Sequence, residues 1–299
     1  MELLTSHYAL FKGEHYAPLN GVIIRYIVSG QGPVCLCPTP GWGPSLVMYK
    51  NSLHPLEEYF TMVYYDTRMS GRSSGPEDPM KYTSEDFMKD MDALRNYLQQ
   101  EKIWLMGHSS GAYQALNYGI HHNDNLNGII AISAIAGRDS LSGEELKNNI
   151  LKRAAEPRQQ RGAAIFLGND TTNYTLNEQV RLSLPLYFHD QDNLAVFAEK
   201  TGVLELSEKA FRYTNASKNG SELLFPLLHK ITVPALIVVG DDDFICDKIS
   251  QSDRIHEQIA SSTLLVIKNA GHYCWIEQPE QFFEGCRAWV KEQEKLSCN

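Results

Sequence analysis

The feature that most constrains this chain is the stretch at residues 102–112, where a short apolar run leads into the pattern Gly-x-Ser-x-Gly. The apolar run predicts a strand, and the residues after Gly111 predict a helix. Gly107 and Gly111 lack a Cβ, so the two elements can approach closely around a sharp bend, and Ser109 can hold a strained backbone. We expect this unit to lift the Ser109 hydroxyl out of a sheet and to point the next backbone N–H at whatever that oxygen attacks.

Apolar runs alternate with helix-forming segments along most of the chain, and this rhythm predicts the fold class. Two β segments are expected within residues 6–30, and further strands are expected near residues 34–37, 60–65, 128–132, 233–240 and 263–267. A capping box at Thr83 and Asp86 opens one of the predicted helices. Strands that alternate with helices favour an α/β fold with a mostly parallel, twisted sheet and helices on both faces.

The alternation stops after residue 137 and resumes near residue 229, which predicts the domain organisation. Residues 138–228 contain helical and loop patterns without a convincing strand. We interpret them as a helical cap, called here the cap segment, inserted after the sixth strand into a core formed by residues 1–137 and 229–299. Such an insertion would cover the carboxyl edge of the sheet, where ligands of α/β folds bind.

Charge and hydropathy exclude two classes of partner. The 299 residues carry a formal net charge of −9 and no cluster of basic residues, which argues against nucleic acid. No apolar run approaches the length of a membrane-spanning helix, so no membrane partner is expected. Residues 1–7 lack the basic and apolar regions of a signal peptide, and we therefore expect a cytoplasmic protein that acts on a small molecule.

The cysteines and histidines give no metal pattern. The six cysteines are scattered and are expected to be reduced, mostly buried thiols: Cys35, Cys37, Cys246, Cys274, Cys286 and Cys298. The histidines show no zinc-binding spacing, and no glycine pattern that cradles phosphates or dinucleotides occurs. Neither a metal nor a cofactor is expected.

Two later loops supply the groups that a nucleophilic serine needs. A serine hydroxyl is a poor nucleophile at neutral pH unless a base lies within hydrogen-bond reach and a third group orients that base. His272 follows the last predicted strand and is the candidate general base, and later the acid that protonates the leaving group. Asp241, Asp242 and Asp243 follow the preceding strand, and one of them would orient the imidazole. The order serine, acid, histidine is the one found in this type of sheet.

Four motifs give the chain a resemblance to the α/β-hydrolase superfamily, in the branch that includes proline iminopeptidases, small esterases and lactonases, and carbon–carbon bond hydrolases. They are GHSSG at 107–111, DTRMSGRS at 66–73, GDDD at 240–243, and GH at 271–272 followed by EQPEQF at 277–282. The resemblance implies the α/β-hydrolase fold and selects Asp243 as the acid of the triad. In the second motif Met69 stands where glycine is usual, and Arg68 and Arg72 are expected to brace loops.

The chain departs from the family at the loop after the third strand. The family usually has His-Gly there, whereas the best gapless match places Pro40 on the histidine. By this match the resemblance implies that the backbone N–H groups of Trp42 and Ser110 form the oxyanion hole. A shifted match would move the first donor to Thr39. The missing histidine is usually structural in the family, so activity is expected to survive.

The leading functional hypothesis is a serine hydrolase that cleaves an ester, lactone or amide of a small, fairly apolar substrate through an acyl-enzyme. Aromatic residues of the cap segment would fit an apolar pocket, or equally the segment's own core: Tyr187, Phe188, Phe197 and Tyr213. Epoxide and carbon–halogen chemistry is disfavoured, because the relatives that perform it carry aspartate at the position of Ser109.

Two alternatives stay open. A proline iminopeptidase-like aminopeptidase would need acidic residues for the substrate's amine, and the cap segment offers Asp190, Asp192, Glu199, Glu205 and Glu208. Against it, Ser110 stands where those enzymes usually carry tryptophan, and scattered acids on helices are usually solvated. A small-molecule receptor on the same scaffold, with little turnover, is the second alternative.

Overall fold

One eight-stranded sheet organises the computed structural model, which describes residues 9–202, 204, 206–217 and 220–297. The strands are β1 (Gly13–Leu19), β2 (Val22–Gly30), β3 (Val34–Pro38), β4 (Thr61–Tyr65), β5 (Ile103–His108), β6 (Leu126–Ile132), β7 (Ala235–Gly240) and β8 (Ser262–Ile267). Their order across the sheet is β1-β2-β4-β3-β5-β6-β7-β8. β2 pairs antiparallel with β1 and β4, and every other pairing is parallel. The mostly parallel sheet predicted from the sequence is confirmed.

Helices cover both faces of this sheet. They are α1 (Val47–Ser52), α2 (Ser84–Tyr97), α3 (Ser110–His122), α4 (Ser140–Arg153), α5 (Gln160–Phe166), α6 (Leu176–Ser183), α7 (Asn193–Thr201), α8 (Glu208–Ser217), α9 (Asp253–Gln258), α10 (Cys274–Glu277) and α11 (Pro279–Ser297). Side chains alternate along β5, so that Leu105 packs with α2 and α3 on one face while Trp104 packs with α11 on the other. Both faces are therefore buried, as a parallel sheet requires.

Local signals at the start of α2 and in the loop after β4 explain two of the sequence motifs. Thr83 and Asp86 form the predicted capping box, each accepting a hydrogen bond from the backbone N–H of the other. Arg68 binds both carboxylate oxygens of Asp90 at 2.7 Å, and the buried Asp66 accepts the backbone N–H of Arg72 at 2.9 Å. The loop at residues 66–73 is thus a brace between the sheet and α2.

Between β6 and β7 the described residues of the cap segment form α4 to α8 and contribute no strand to the sheet. A short 3-10 turn at Leu184–Tyr187 lies within it, and another at Phe225–Lys230 crosses its predicted end. The first helix begins at Ser140, and the boundaries 138–228 stay a prediction. None of the described helices is both long and apolar enough to cross a membrane.

Candidate active site

Ser109 occupies a strained position between β5 and α3. Its backbone has φ 56° and ψ −122°, in a region that L-residues rarely adopt. A Cβ on Gly107 would lie 2.3 Å from the carbonyl oxygen of Gly111, so the first glycine of the pattern permits the close approach of turn and helix. The predicted strand–turn–helix unit is present, and the half-buried Ser109 lines a cavity at the carboxyl edge of the sheet.

His272 and Asp243 form a buried hydrogen-bonded pair beside this serine. His272 Nδ1 lies 2.8 Å from Asp243 Oδ2, and the other oxygen, Oδ1, accepts the backbone N–H groups of Ile245 and Cys246 at 3.0 Å each. Burial alone would raise the pKa of Asp243. The charge and hydrogen bond of His272, together with the two N–H groups, outweigh that effect and lower the pKa to about 2. The aspartate is therefore ionised at neutral pH, and His272 faces the same cavity as Ser109.

The three adjacent aspartates have three different partners. Asp241 Oδ1 lies 3.4 Å from the backbone nitrogen of Ala270. Asp242 binds Arg153 of the cap segment at 3.1 Å and His189 at 3.0 Å. Among the described residues, Asp243 is the one of the three that forms a hydrogen bond with His272.

The two N–H groups proposed for the oxyanion hole belong to residues that line the cavity. Within the described part of the chain, neither Trp42 nor Ser110 has a hydrogen-bond acceptor assigned to its backbone N–H. The carbonyl oxygen of Gly41 is fixed by Tyr82 Oη at 2.7 Å and by Thr214 Oγ1 at 3.1 Å, which holds the loop before Trp42. The shifted match is disfavoured, because the N–H of Thr39 donates to the carbonyl of Tyr65 at 3.1 Å.

The cavity has a volume of about 420 Å³ and lies between the core and the cap segment. Aromatic side chains form much of its wall: Trp42, Tyr49, Phe166, Tyr187, Phe211 and Tyr273. Among the described residues that line it, none carries a carboxylate. The cavity therefore presents apolar surface around a reactive centre made of Ser109 and His272.

Of the four cap aromatics singled out from the sequence, only Tyr187 lines this cavity. Phe188 and Phe197 are fully buried and pack against the ring of Tyr273 at 5.4 and 4.6 Å. Tyr213 stacks edge-on against Tyr82 and donates its hydroxyl to the carbonyl of Glu77. These three residues pack the cap segment onto the core, and only the contact between Phe188 and Phe197 lies within the cap segment itself. They fit neither of the two interpretations that the sequence allowed.

None of the acidic candidates within the described part of the cap segment lines the cavity. Glu199 is exposed, and Asp190 and Asp192 line a separate polar depression beside Arg158. Glu208 lines a third depression, which shares Leu176, Gln179 and Phe211 with the wall of the cavity. Glu205 lies outside the described residues.

Sequence reasoning did not assign a role to Cys246 or Glu277. The thiol of Cys246 lies beside the Ser109 hydroxyl, and with Asp243 and His272 it brings three ligand-type atoms within 4.8 Å of one another. His272 and Asp243 already use their facing atoms in a hydrogen bond to each other, so we assign this cluster to the candidate triad and not to a metal. Cys35, Cys37, Cys246, Cys274 and Cys286 are buried and free, and Cys298 lies outside the described residues.

Glu277 connects the loop of His272 to the cap segment. Its two carboxylate oxygens accept the backbone N–H groups of Gly271 at 2.6 Å and Asp190 at 2.9 Å. Burial raises the pKa of this carboxyl to about 7, although both N–H groups favour its charged form. The EQPEQF motif had marked the position, but its sequence context alone gave no partner on the cap segment.

Comparison with known families identifies the family of this chain. The sequence model of the alpha/beta hydrolase fold matches residues 32–279, and the chain therefore belongs to the α/β-hydrolase family and is a hydrolase of that fold.

Within the family, the chain is similar to a proline iminopeptidase of Lactobacillus crispatus, with 28% identity over 78% of this chain and 81% of the relative. Two solved structures share its fold. A proline iminopeptidase-related protein from Thermus thermophilus has a TM-score of 0.74 at 21% identity, covering 95% of this chain and 98% of that one. An enol-lactonase from Burkholderia xenovorans has a TM-score of 0.70 at 22% identity, covering 93% and 100%.

Proposed function

We propose that this hydrolase uses Ser109 as a nucleophile and cleaves esters or lactones of small, fairly apolar substrates through an acyl-enzyme. The observation that carries the proposal is that Ser109 and His272 line one cavity, while Asp243 binds Nδ1 of His272. A nucleophile, a base and a carboxylate that orients the base are the groups that acyl transfer requires.

In the first half of the reaction, Ser109 Oγ attacks the substrate carbonyl carbon while His272 Nε2 takes its proton. The carbonyl π-electrons move to oxygen, and the N–H groups of Trp42 and Ser110 donate to the oxyanion. When the oxyanion collapses, the bond to the leaving oxygen breaks and His272 returns the proton to that oxygen. Asp243 stays ionised throughout and stabilises the imidazolium.

In the second half, a water molecule attacks the acyl group on Ser109 and gives its proton to His272. Collapse of the second oxyanion breaks the bond to Ser109 Oγ, which recovers the proton, and the carboxylic acid leaves. With a lactone the leaving oxygen stays attached to the acyl group, so the product is one hydroxy acid.

The wall of the cavity favours a neutral acyl group over a free amine. A buried ammonium without a partner costs several kcal/mol, and no carboxylate occurs among the described residues that line the cavity. Burial of apolar substrate surface against the apolar and aromatic side chains of the wall would instead favour binding by about 25 cal/mol for each Å² buried.

An aminopeptidase is the second candidate, and one observation favours it beyond the similarity to proline iminopeptidases. Glu208 lies in a depression that shares the side chains of Leu176, Gln179 and Phe211 with the cavity. A substrate amine that reached past this shared wall would meet a carboxylate.

Labelling with a fluorophosphonate, followed by a substrate panel, tests the proposal. We expect wild type to be labelled rapidly, Ser109→Ala and His272→Ala to be almost unlabelled, and Ser221→Ala, an exposed serine outside the cavity, to match wild type. Among p-nitrophenyl esters, lactones and proline p-nitroanilide, the esters and lactones should give the higher kcat/KM.

Two results would overturn the proposal in different ways. Preference for the proline anilide, abolished by Glu208→Gln, would establish the aminopeptidase. An unlabelled wild type that binds small apolar carbonyl compounds without turnover would favour the receptor.

A further inference from the structure

His108, the residue before the candidate nucleophile, connects two buried groups through its ring. Its Nδ1 lies 3.0 Å from the hydroxyl of Tyr49 on α1, and its Nε2 lies 3.0 Å from the backbone carbonyl oxygen of His272. His108 and Tyr49 are 3% and 1% exposed, and both residues also lie in the wall of the cavity that Ser109 lines. The ring of His108 also lies 4.4 Å from the ring of His272, centroid to centroid.

The chemistry of the two partners fixes the proton on His108. A carbonyl oxygen can only accept, so Nε2 must carry the hydrogen and donate it to His272. In the neutral ring Nδ1 then accepts, and the hydroxyl of Tyr49 must be its donor. Burial lowers the pKa of His108 well below its usual value, and the nearby charge of His272 lowers it further, so the ring stays neutral.

The same carbonyl oxygen has a second donor. Ser133 Oγ lies 3.2 Å from it, while on the other side of the residue the N–H of His272 donates to the carbonyl of Tyr187 at 2.8 Å. Both peptide groups of His272 are therefore held by buried hydrogen bonds. The position of the imidazole depends on these contacts, since the side chain has only two torsions with which to compensate for a displaced backbone.

We propose that His108, oriented by Tyr49, is a positioning residue that fixes the backbone of His272 and thereby holds its Nε2 in line with Ser109. The inference rests on the proposed function, because it concerns the geometry of the same triad. His108 exchanges no proton with substrate in this role. Its importance lies in keeping the reacting atoms within the narrow range of distance that proton transfer needs.

A matched set of substitutions separates positioning from folding. His108→Leu removes the donor to His272, and Tyr49→Phe removes the hydroxyl that sets the tautomer of His108. His108→Gln should retain most of the activity, because the glutamine amide nitrogen can donate to the backbone carbonyl of His272 while its amide oxygen accepts from Tyr49. We expect His108→Leu to lower kcat and the rate of fluorophosphonate labelling by about tenfold, as for one poorly satisfied buried group, with KM changed by less than about twofold. His108→Gln should lie within about threefold of wild type, and Tyr49→Phe should fall between the two.

Ser133 allows a double-mutant cycle with His108, whose result a merely structural role of His108 would not reproduce. Ser133→Ala alone should have a small effect, because His108 still satisfies the carbonyl of His272. Combined with His108→Leu it should cost more than the product of the two single effects, since the buried oxygen then has no donor. Thermal melting measured on the same samples shows whether each variant is folded.

The outcomes distinguish the two proposals. If wild type is not labelled at all, the proposed function fails. If wild type is labelled and the folded variants at His108, Tyr49 and Ser133 react at its rate, or if His108→Gln is no better than His108→Leu, the positioning role is wrong. Should His108→Leu fail to fold, the comparison of wild type, Tyr49→Phe and His108→Gln decides the matter alone.

Discussion

Replacing Asp243 by asparagine is the sharpest perturbation that the structure offers. Oδ1 of this residue accepts the N–H groups of Ile245 and Cys246, both at 3.0 Å. An asparagine would turn its oxygen towards these two donors and its NH₂ towards His272. Nδ1 of His272 would then have to accept, which moves the imidazole hydrogen to Nε2. In that tautomer His272 cannot take the proton of Ser109.

The magnitude follows from the loss of the correct tautomer and of a buried charge. We expect kcat to fall by about 10⁴, equivalent to about 5 kcal/mol in the activation free energy. The pKa of Asp243 is lowered from 3.8 to about 2, which corresponds to about 2 kcal/mol of folding free energy at neutral pH. This contribution is present above pH 4 and is lost as the pH falls through about 2, and the asparagine variant lacks it.

The neighbouring aspartates supply the control. Asp242→Asn makes the same chemical change one residue away, where the partners are Arg153 and His189, so activity should stay within about tenfold of wild type. Ester hydrolysis by purified variants, with circular dichroism to confirm folding, measures both effects. Retention of a tenth or more of wild-type kcat by Asp243→Asn, or an equal loss in Asp242→Asn, would refute the assignment of the acid.

Three further predictions concern stability and specificity. The free energy of unfolding should fall as pH rises from about 4.5 to about 7, because the folded protein retains the Glu277 proton to higher pH than the unfolded chain. In denaturant titrations at several pH values, Glu277→Gln should not show this pH-dependent loss. Met69 has φ 63° and a buried side chain, so Met69→Ala should lower the free energy of unfolding by about 2–5 kcal/mol. Met69→Gly loses the same side chain but relieves the left-handed strain, so its free energy of unfolding should be about 1 kcal/mol higher than that of the alanine variant. Phe211 separates the cavity from the adjoining depression, so Phe211→Ala should shift the preferred p-nitrophenyl ester to one with a longer acyl chain. Leu184 lines the cavity but not the depression, and Leu184→Ala should leave the preferred chain length unchanged.

The backbone of the candidate site could be predicted because its signals are local. Gly107 and Gly111 define the turn around Ser109, and a loop must follow each buried strand, so the chain positions of the acid and the base were readable. The choice of Asp243 among three aspartates came from the family motif and not from local physics. Only the fold reveals that Asp242 is taken by Arg153.

The inward face of the cap segment could not be predicted, for a physical reason. A strand alternates its side chains between two faces, whereas a short helix buries whichever side its neighbours cover. Phe188 and Phe197 therefore looked equivalent to Tyr187 in the sequence, although only Tyr187 faces the cavity. Met69 was an unexplained departure for a similar reason, since a positive φ leaves no mark when the residue is not glycine.

If the proposed triad operates, the contacts of the cap segment would couple substrate binding to the position of the base. The carbonyl of Tyr187 holds the N–H of His272, and Glu277 accepts from both Gly271 and Asp190. Tyr187 also contributes its ring to the cavity wall. A substrate that displaces the wall at Tyr187 must therefore also act on the backbone of the base, so a poorly fitting substrate should lose kcat as well as affinity. On the proposed mechanism we therefore expect the specificity of this protein to depend on the catalytic geometry as well as on the shape of the cavity.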